Sequence, residues 1–167
     1  VMAGSNKTDL RSTEASMKYF LMGAFATGFL MFGVALVYGS VGSFDMYVIH
    51  DFAISNPKNL MLIMGSILML SALAFKVSLA PFHMWSPDVY QGSPSLITGF
   101  MASVVKISGF FALFKLMTLG FGGIAGEWIN ILGVFVIITL LLANVMALVQ
   151  TNAKRMLAYS SVSHAGY

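Results

Sequence analysis

The chain has 167 residues, of which 58% are apolar and only 9% charged, and its mean hydropathy is +0.86. A soluble domain carries about 25% charged residues, so this composition describes an all-α, polytopic transmembrane bundle. Cysteine is absent, which excludes disulfides, iron–sulfur clusters and thiolate zinc sites, and the net charge of +3 forms no basic patch that would suit nucleic acid.

The chain opens on Val1, shows no signal-peptide pattern, and ends at Tyr167 within a rising apolar segment. It is expected to be an internal piece of a longer membrane subunit, and residues 1–167 form one unit. A spanning helix needs about 20 mostly apolar residues. The first predicted span is 12–40, with Ser12 as N-cap, Glu14 in the first turn and Lys18 just inside. Gly23, Gly28 and Gly33 suit close helix packing. Residues 40–59 mix Asp45, His50, Asp51, Pro57 and Lys58 with aromatics, which predicts a loop with a short surface helix.

The second predicted span, 60–90, runs through Lys76 to Pro81, where the missing N–H breaks the helix. Pro87, Gly92 and Pro94 then mark a turn, in which Asp88 is expected to act as a cap. The third span is 95–118, containing Lys106. Gly120, Gly122, Gly123 and Gly126 predict a flexible connection. The fourth span is 127–149, with Trp128 as an interface anchor. Residues 155–167 begin a fifth.

Lys7 and Arg11 precede the first span, and Lys154 and Arg155 separate the fourth from the fifth, so both groups fall on one side. The other side carries Lys58 and Lys115. Four positive charges against two make the Lys7 side cytoplasmic by the positive-inside rule.

Three lysines stand out. Lys106 follows eleven residues of its span, which places it about 15 Å from one end and near the midplane. An ammonium there costs about 2.5–3.5 kcal/mol on insertion scales, and its desolvation makes gain and loss of a proton accessible. The competing reading is a structural lysine paired with a helix carbonyl or a carboxylate. Lys76 follows sixteen uncharged residues. A break at 78–81 would free carbonyls towards Lys76 or water; alternatively, Pro81 merely ends the helix and Lys76 snorkels to the interface. Lys18 lies about 9 Å inside its helix and reads as snorkelling. No carboxylate inside a span is available to pair with it, so its partner is expected outside the chain. His83, after Pro81, and His164, among serines, are candidates for proton transfer or for plain hydrogen bonding between helices. His50 reads as a solvated loop residue. Nothing indicates a catalytic nucleophile, a phosphate-cradling loop or a metal site.

Taken together, FKVSLAPFHMWSPDVYQGSP, SVVKISGF and TNAKRMLAYSSVSHAGY resemble the subunit N (subunit 2) family of proton-pumping NADH:quinone oxidoreductases. The opening STEASMKYFLMGAFATGF is similar to that family's sixth span, and Asp88 to Gly92 is the part most particular to it. The resemblance covers nearly the whole chain and implies an antiporter-like fold with a broken helix. It also implies a relay in which Lys18 tunes Lys76, which passes charge to Lys106 and onward; His83 and His164 join it as relay candidates, and Pro81 as the helix break, on the reading of the residues above. The family pairs the lysine at position 18 with a glutamate of the preceding span. The resemblance further implies a bacterial inner-membrane location and other membrane subunits as partners. This chain would bind no redox cofactor, NADH and quinone being used by the whole complex. The alternative is a stand-alone cation/proton antiporter.

Overall fold

The computed structural model describes residues 2–6 and 8–167; Val1 and Lys7, the latter counted in the charge balance, lie outside the described residues. Regular structure among the described residues is helical throughout: α1 (Leu10–Val41), α2 (Met46–Ser55), α3 (Leu60–Val77), α4 (Trp85–Gly92), α5 (Ser95–Gly120), α6 (Ala125–Leu148) and α7 (Ala153–Gly166). Four stretches are long and apolar enough to cross a membrane: α1, α3, α5, and α6 with the turn before it.

The start of α1 differs from expectation. Asp9 is the N-cap and its carboxylate accepts from the Arg11 N–H at 2.9 Å. Ser12 is instead buried inside the first turn, donating to the Ala3 carbonyl at 2.8 Å. A helix of 32 residues is about 48 Å long, more than the roughly 30 Å hydrocarbon layer, so part of α1 reaches beyond it. Gly42 closes it with φ 74°, a conformation open to glycine.

α1 and α3 pack through one pair of glycines. A Cβ on Gly33 would meet the Gly65 carbonyl at 2.9 Å, and one on Gly65 would meet the Gly33 carbonyl at 3.0 Å. Backbones can approach this closely only where Cβ is missing. Gly23 and Gly28 have open space and do not serve the packing expected of them.

α2 lies against the turn that follows α5. That glycine-rich connection is held rather than free: Gly122–Ile124 forms a 3₁₀ turn, and a Cβ on Gly123 would meet the Ile54 N at 2.7 Å. His50 sits on α2, not in a loop, with its Nδ1 buried and next to Gly122. Trp128 is buried too, and its indole N–H donates to the Phe121 carbonyl at 3.0 Å, so it caps the preceding helix instead of anchoring at an interface. α6 and α7 form a hairpin, turned at Asn152, whose side chain accepts from the Arg155 N–H at 3.3 Å.

Candidate functional site

The site is built around the interruption between α3 and α4. α3 ends at Ser78, which takes the left-handed region at φ 65°, unusual for a residue with a Cβ. The Ala80–Pro81 peptide is cis. Carbonyls at the end of α3 are taken up by protein. Leu79 N–H reaches the Ala74 carbonyl at 2.9 Å, while Ser78 N–H and the Trp85 indole reach the Phe75 carbonyl at 3.1 and 3.0 Å. Ala80 N–H donates to Thr139 Oγ1 of α6 at 2.8 Å. The expectation that freed carbonyls turn towards Lys76 or water therefore does not hold at Ala74 and Phe75. A buried backbone group can be satisfied by a tertiary neighbour, as Thr139 does for the Ala80 N–H.

Lys106 follows a π-helical stretch, Met101–Val105, within α5. It is 6% exposed, and its Nζ donates to the Ser161 carbonyl and Oγ of α7 at 2.7 and 2.8 Å. The Tyr90 ring of α4 lies beneath it, 5.9 Å from Nζ to the ring centroid. Among the described residues no carboxylate forms an ion pair with it. A helix carbonyl is the partner a purely structural lysine would also choose. However, both acceptors are neutral, so loss of the proton leaves no uncompensated buried anion. An amine can still donate to either oxygen.

Lys76 is exposed in this chain, beside a groove of about 360 Å³ that also includes Tyr19, Gly23 and Thr27 of α1. Its stem faces α5, where a Cβ on Gly109 would lie 3.8 Å from Lys76 Cβ and Cγ. Gly109 is three residues beyond Lys106, so the Lys76 stem packs against α5 one turn along from Lys106. His83 lies in the interruption, 5% exposed, with Nδ1 lacking a partner among the described residues. Ser78, Ser86, Tyr90 and Ser93 have buried hydroxyls in the same condition. His164 is exposed and lies near Tyr167, with ring centroids 5.7 Å apart, apart from the groups around Lys106.

Lys18 corrects the sequence reading. It has two carboxylate partners within the chain: Glu14 Oε1 at 2.7 Å and Asp88 Oδ2 at 2.9 Å. Asp88 is no cap: it lies within α4, whose N-cap position is Met84 and has no side-chain cap bond. Its second oxygen accepts from Arg155 Nη1 at 2.6 Å, and that same nitrogen reaches Gln91 Oε1 at 3.1 Å. Glu14, Lys18, Asp88, Gln91 and Arg155 line a cleft of about 370 Å³ together with Arg11. The starts of α1 and α7 thus lie at one end of the bundle, as the span count requires. Glu14–Lys18 could have been found from its i, i+4 spacing with the acid first. Asp88–Arg155 had no local signal.

The chain matches the transmembrane family described as NADH:quinone oxidoreductase/Mrp antiporter over residues 1–167. It is 45% identical to NADH-quinone oxidoreductase subunit N of Trichlorobacter lovleyi, covering 100% of this chain and 35% of that protein. It is 42% identical to the subunit N of Xanthomonas euvesicatoria, covering 99% and 34%. The chain spans about a third of the length of these relatives. Among solved structures, a chain of respiratory complex I from Thermus thermophilus matches with a TM-score of 0.77 and 40% identity, covering 94% of this chain and 33% of that one. A chain of the archaeal membrane-bound sulfane sulfur reductase matches at 0.85 and 31%, covering 99% and 34%. The Mrp complex of Dietzia matches at 0.86 and 23% identity, covering 95% and 29%, a likeness of fold.

Proposed function

The chain belongs to the NADH:quinone oxidoreductase/Mrp antiporter transmembrane family, and from that membership we propose that it is part of a subunit N-type, proton-translocating component of a NADH:quinone oxidoreductase. The observation that carries the mechanism is Lys106, buried in a helix that crosses the bundle and held by neutral acceptors. A buried amine without a carboxylate partner can exchange a proton at modest electrostatic cost, and such a group within a membrane segment marks an ion pathway by default. Lys76, whose stem packs against α5 one turn from Lys106, supplies the neighbouring cation next to the helix interruption. Lys18 sets the charge at the end of the bundle. His83, with its unpartnered Nδ1, and His164 are further relay groups.

In this reading the chain binds no redox cofactor. NADH and quinone are handled elsewhere in the complex, and electron transfer there shifts the charges felt by the lysines. Its partners are the other membrane subunits and the lipid bilayer of the bacterial inner membrane, with the Arg11 and Arg155 end facing the cytoplasm. The subunit N relatives support this assignment, whereas the likeness to the Mrp complex is one of fold.

Lys76→Ala, introduced into the whole subunit in its complex, should abolish or sharply reduce proton pumping in inverted membrane vesicles while the complex still assembles. Normal pumping at normal assembly would sink the relay. Ion exchange by the purified subunit in liposomes, without quinone-reducing partners, would instead identify a stand-alone antiporter.

A further inference from the structure

Four charges run in a line across three helices: Glu14 and Lys18 on α1, Asp88 on α4 and Arg155 on α7. Three contacts link them, at 2.7, 2.9 and 2.6 Å. The chain of charges is balanced, two negative and two positive. Its middle contact is different in kind from the outer two. Breaking Lys18–Asp88 leaves two neutral pairs, Glu14–Lys18 and Asp88–Arg155. Breaking either outer contact leaves a single charge without an alternative partner in the line. Arg11 borders the cleft but makes no ion pair among the described residues.

We propose that Lys18–Asp88 is a breakable latch between α1 and the α4–α7 pair, with Glu14 and Arg155 as positioning residues that make its opening inexpensive. The consequence follows from what α4 and α7 also hold. Tyr90 is two residues beyond Asp88 on α4 and faces Lys106, while Ser161 is six residues beyond Arg155 on α7 and accepts its two hydrogen bonds. Tyr19 and Gly23, on the α1 turns next to Lys18, line the groove of Lys76. With the latch closed, the helix bordering Lys76 is tied to the helices holding Lys106. With it open, the α1 turns that line the groove of Lys76 are no longer tied by charge to the helices holding Lys106, and no bare charge is left in the cleft. Such a two-state element is what coupling between two sites requires.

The inference rests on the proton-relay reading above, and its test separates the two. In the complete complex, protons pumped per quinone reduced are measured in inverted vesicles for Glu14→Gln, Arg155→Gln, Arg155→Lys and Lys106→Met. Removing either outer partner makes opening cost a stranded charge, so Glu14→Gln and Arg155→Gln should each lower the ratio about threefold or more. The rate of quinone reduction and the amount of complex should stay near wild type. Arg155→Lys keeps the charge and should recover more than about half of the ratio. A static salt bridge would lower assembly and quinone reduction together, leaving the ratio unchanged. If Arg155→Gln does not assemble, Glu14→Gln decides, since Glu14 is 64% exposed at its side chain. Wild-type ratios in Glu14→Gln overturn the latch. If Lys106→Met also pumps normally, the relay reading falls with it; if Lys106→Met is silent, the latch alone is wrong.

Discussion

Tyr90 separates what the ring does for Lys106 from what the hydroxyl does. The side chain is 2% exposed, and its hydroxyl has no partner among the described residues. A buried polar group left unpaired costs about 1–3 kcal/mol. Tyr90→Phe removes that group and keeps the π-face, so the assembled complex should pump normally and its melting temperature should hold or rise. Tyr90→Leu removes the face, worth about 0.5–2 kcal/mol to a cation, and leaves a cavity. Pumping should fall and melting should come earlier. Equal behaviour of the two variants in a pumping and melting comparison would show that the ring does not act on Lys106. At this scale the sequence was informative about depth and poor about partners. Lys106 could be placed near the middle of its helix, Ser95–Gly120, by counting residues, because helical rise is constant. The Asp88 partner of Lys18 could not, because it is 70 residues away and only folding brings it to 2.9 Å.

The interruption between α3 and α4 is an element held together from outside itself. Pro81 announces it in the sequence, since proline cannot donate. The residues that satisfy it are not announced: Thr139 is 59 residues further on, and it accepts from Ala80 N–H while donating to Phe135. Thr139→Val should therefore strand a buried N–H and destabilise the subunit by about 1–3 kcal/mol, whereas Thr139→Ser should retain most of that stability. Thermal unfolding of the detergent-solubilised complex compares the two, and a Val variant as stable as wild type would refute the accounting. The other end of α4 is fixed sterically. A Cβ on Gly92 would approach the Arg11 carbonyl to 2.6 Å and Ala15 Cβ to 2.8 Å. Gly92→Ala must push α4 away from α1, an overpacking cost of about 1–3 kcal/mol, and lower melting is the expected readout. Read as sequence, Gly92 marked only a turn. The spacing of Gly23, Gly28 and Gly33 suggested a packing stripe, yet of the three only Gly33 meets a neighbour, the α3 backbone at Gly65.

The whole molecule presents a large apolar exterior. Phe25, Met31 and Phe32 of α1, Ile107, Phe111 and Phe114 of α5, and Ile137, Leu141 and Val145 of α6 are all exposed. Such surface is far beyond the patches of a few hundred Å² that a soluble protein tolerates, and it fits a bilayer and neighbouring helices. Apart from Lys76 and Lys106, charge is sorted to the two ends. Asp9, Arg11, Lys154 and Arg155 gather at the end where α1 and α7 begin, and Lys58 is exposed at the other, between α2 and α3. The four long apolar helices were legible from sequence alone because the bilayer imposes length. The grouping of helices around Lys106 was not, because hydropathy is blind to which face meets which neighbour. The resulting topology can be tested cleanly, since the chain has no cysteine. Single cysteines at Asp9 and Thr151, both exposed and at the same end, should react with a membrane-impermeant maleimide in inverted vesicles. A cysteine at Lys58 should react only in right-side-out vesicles or after permeabilisation, because α1 carries the chain once across the layer before that loop. Labelling of Asp9 and Thr151 from opposite faces would break the bundle described here. Labelling of both from the outer face would keep the bundle and reverse its orientation, which would overrule the charge count.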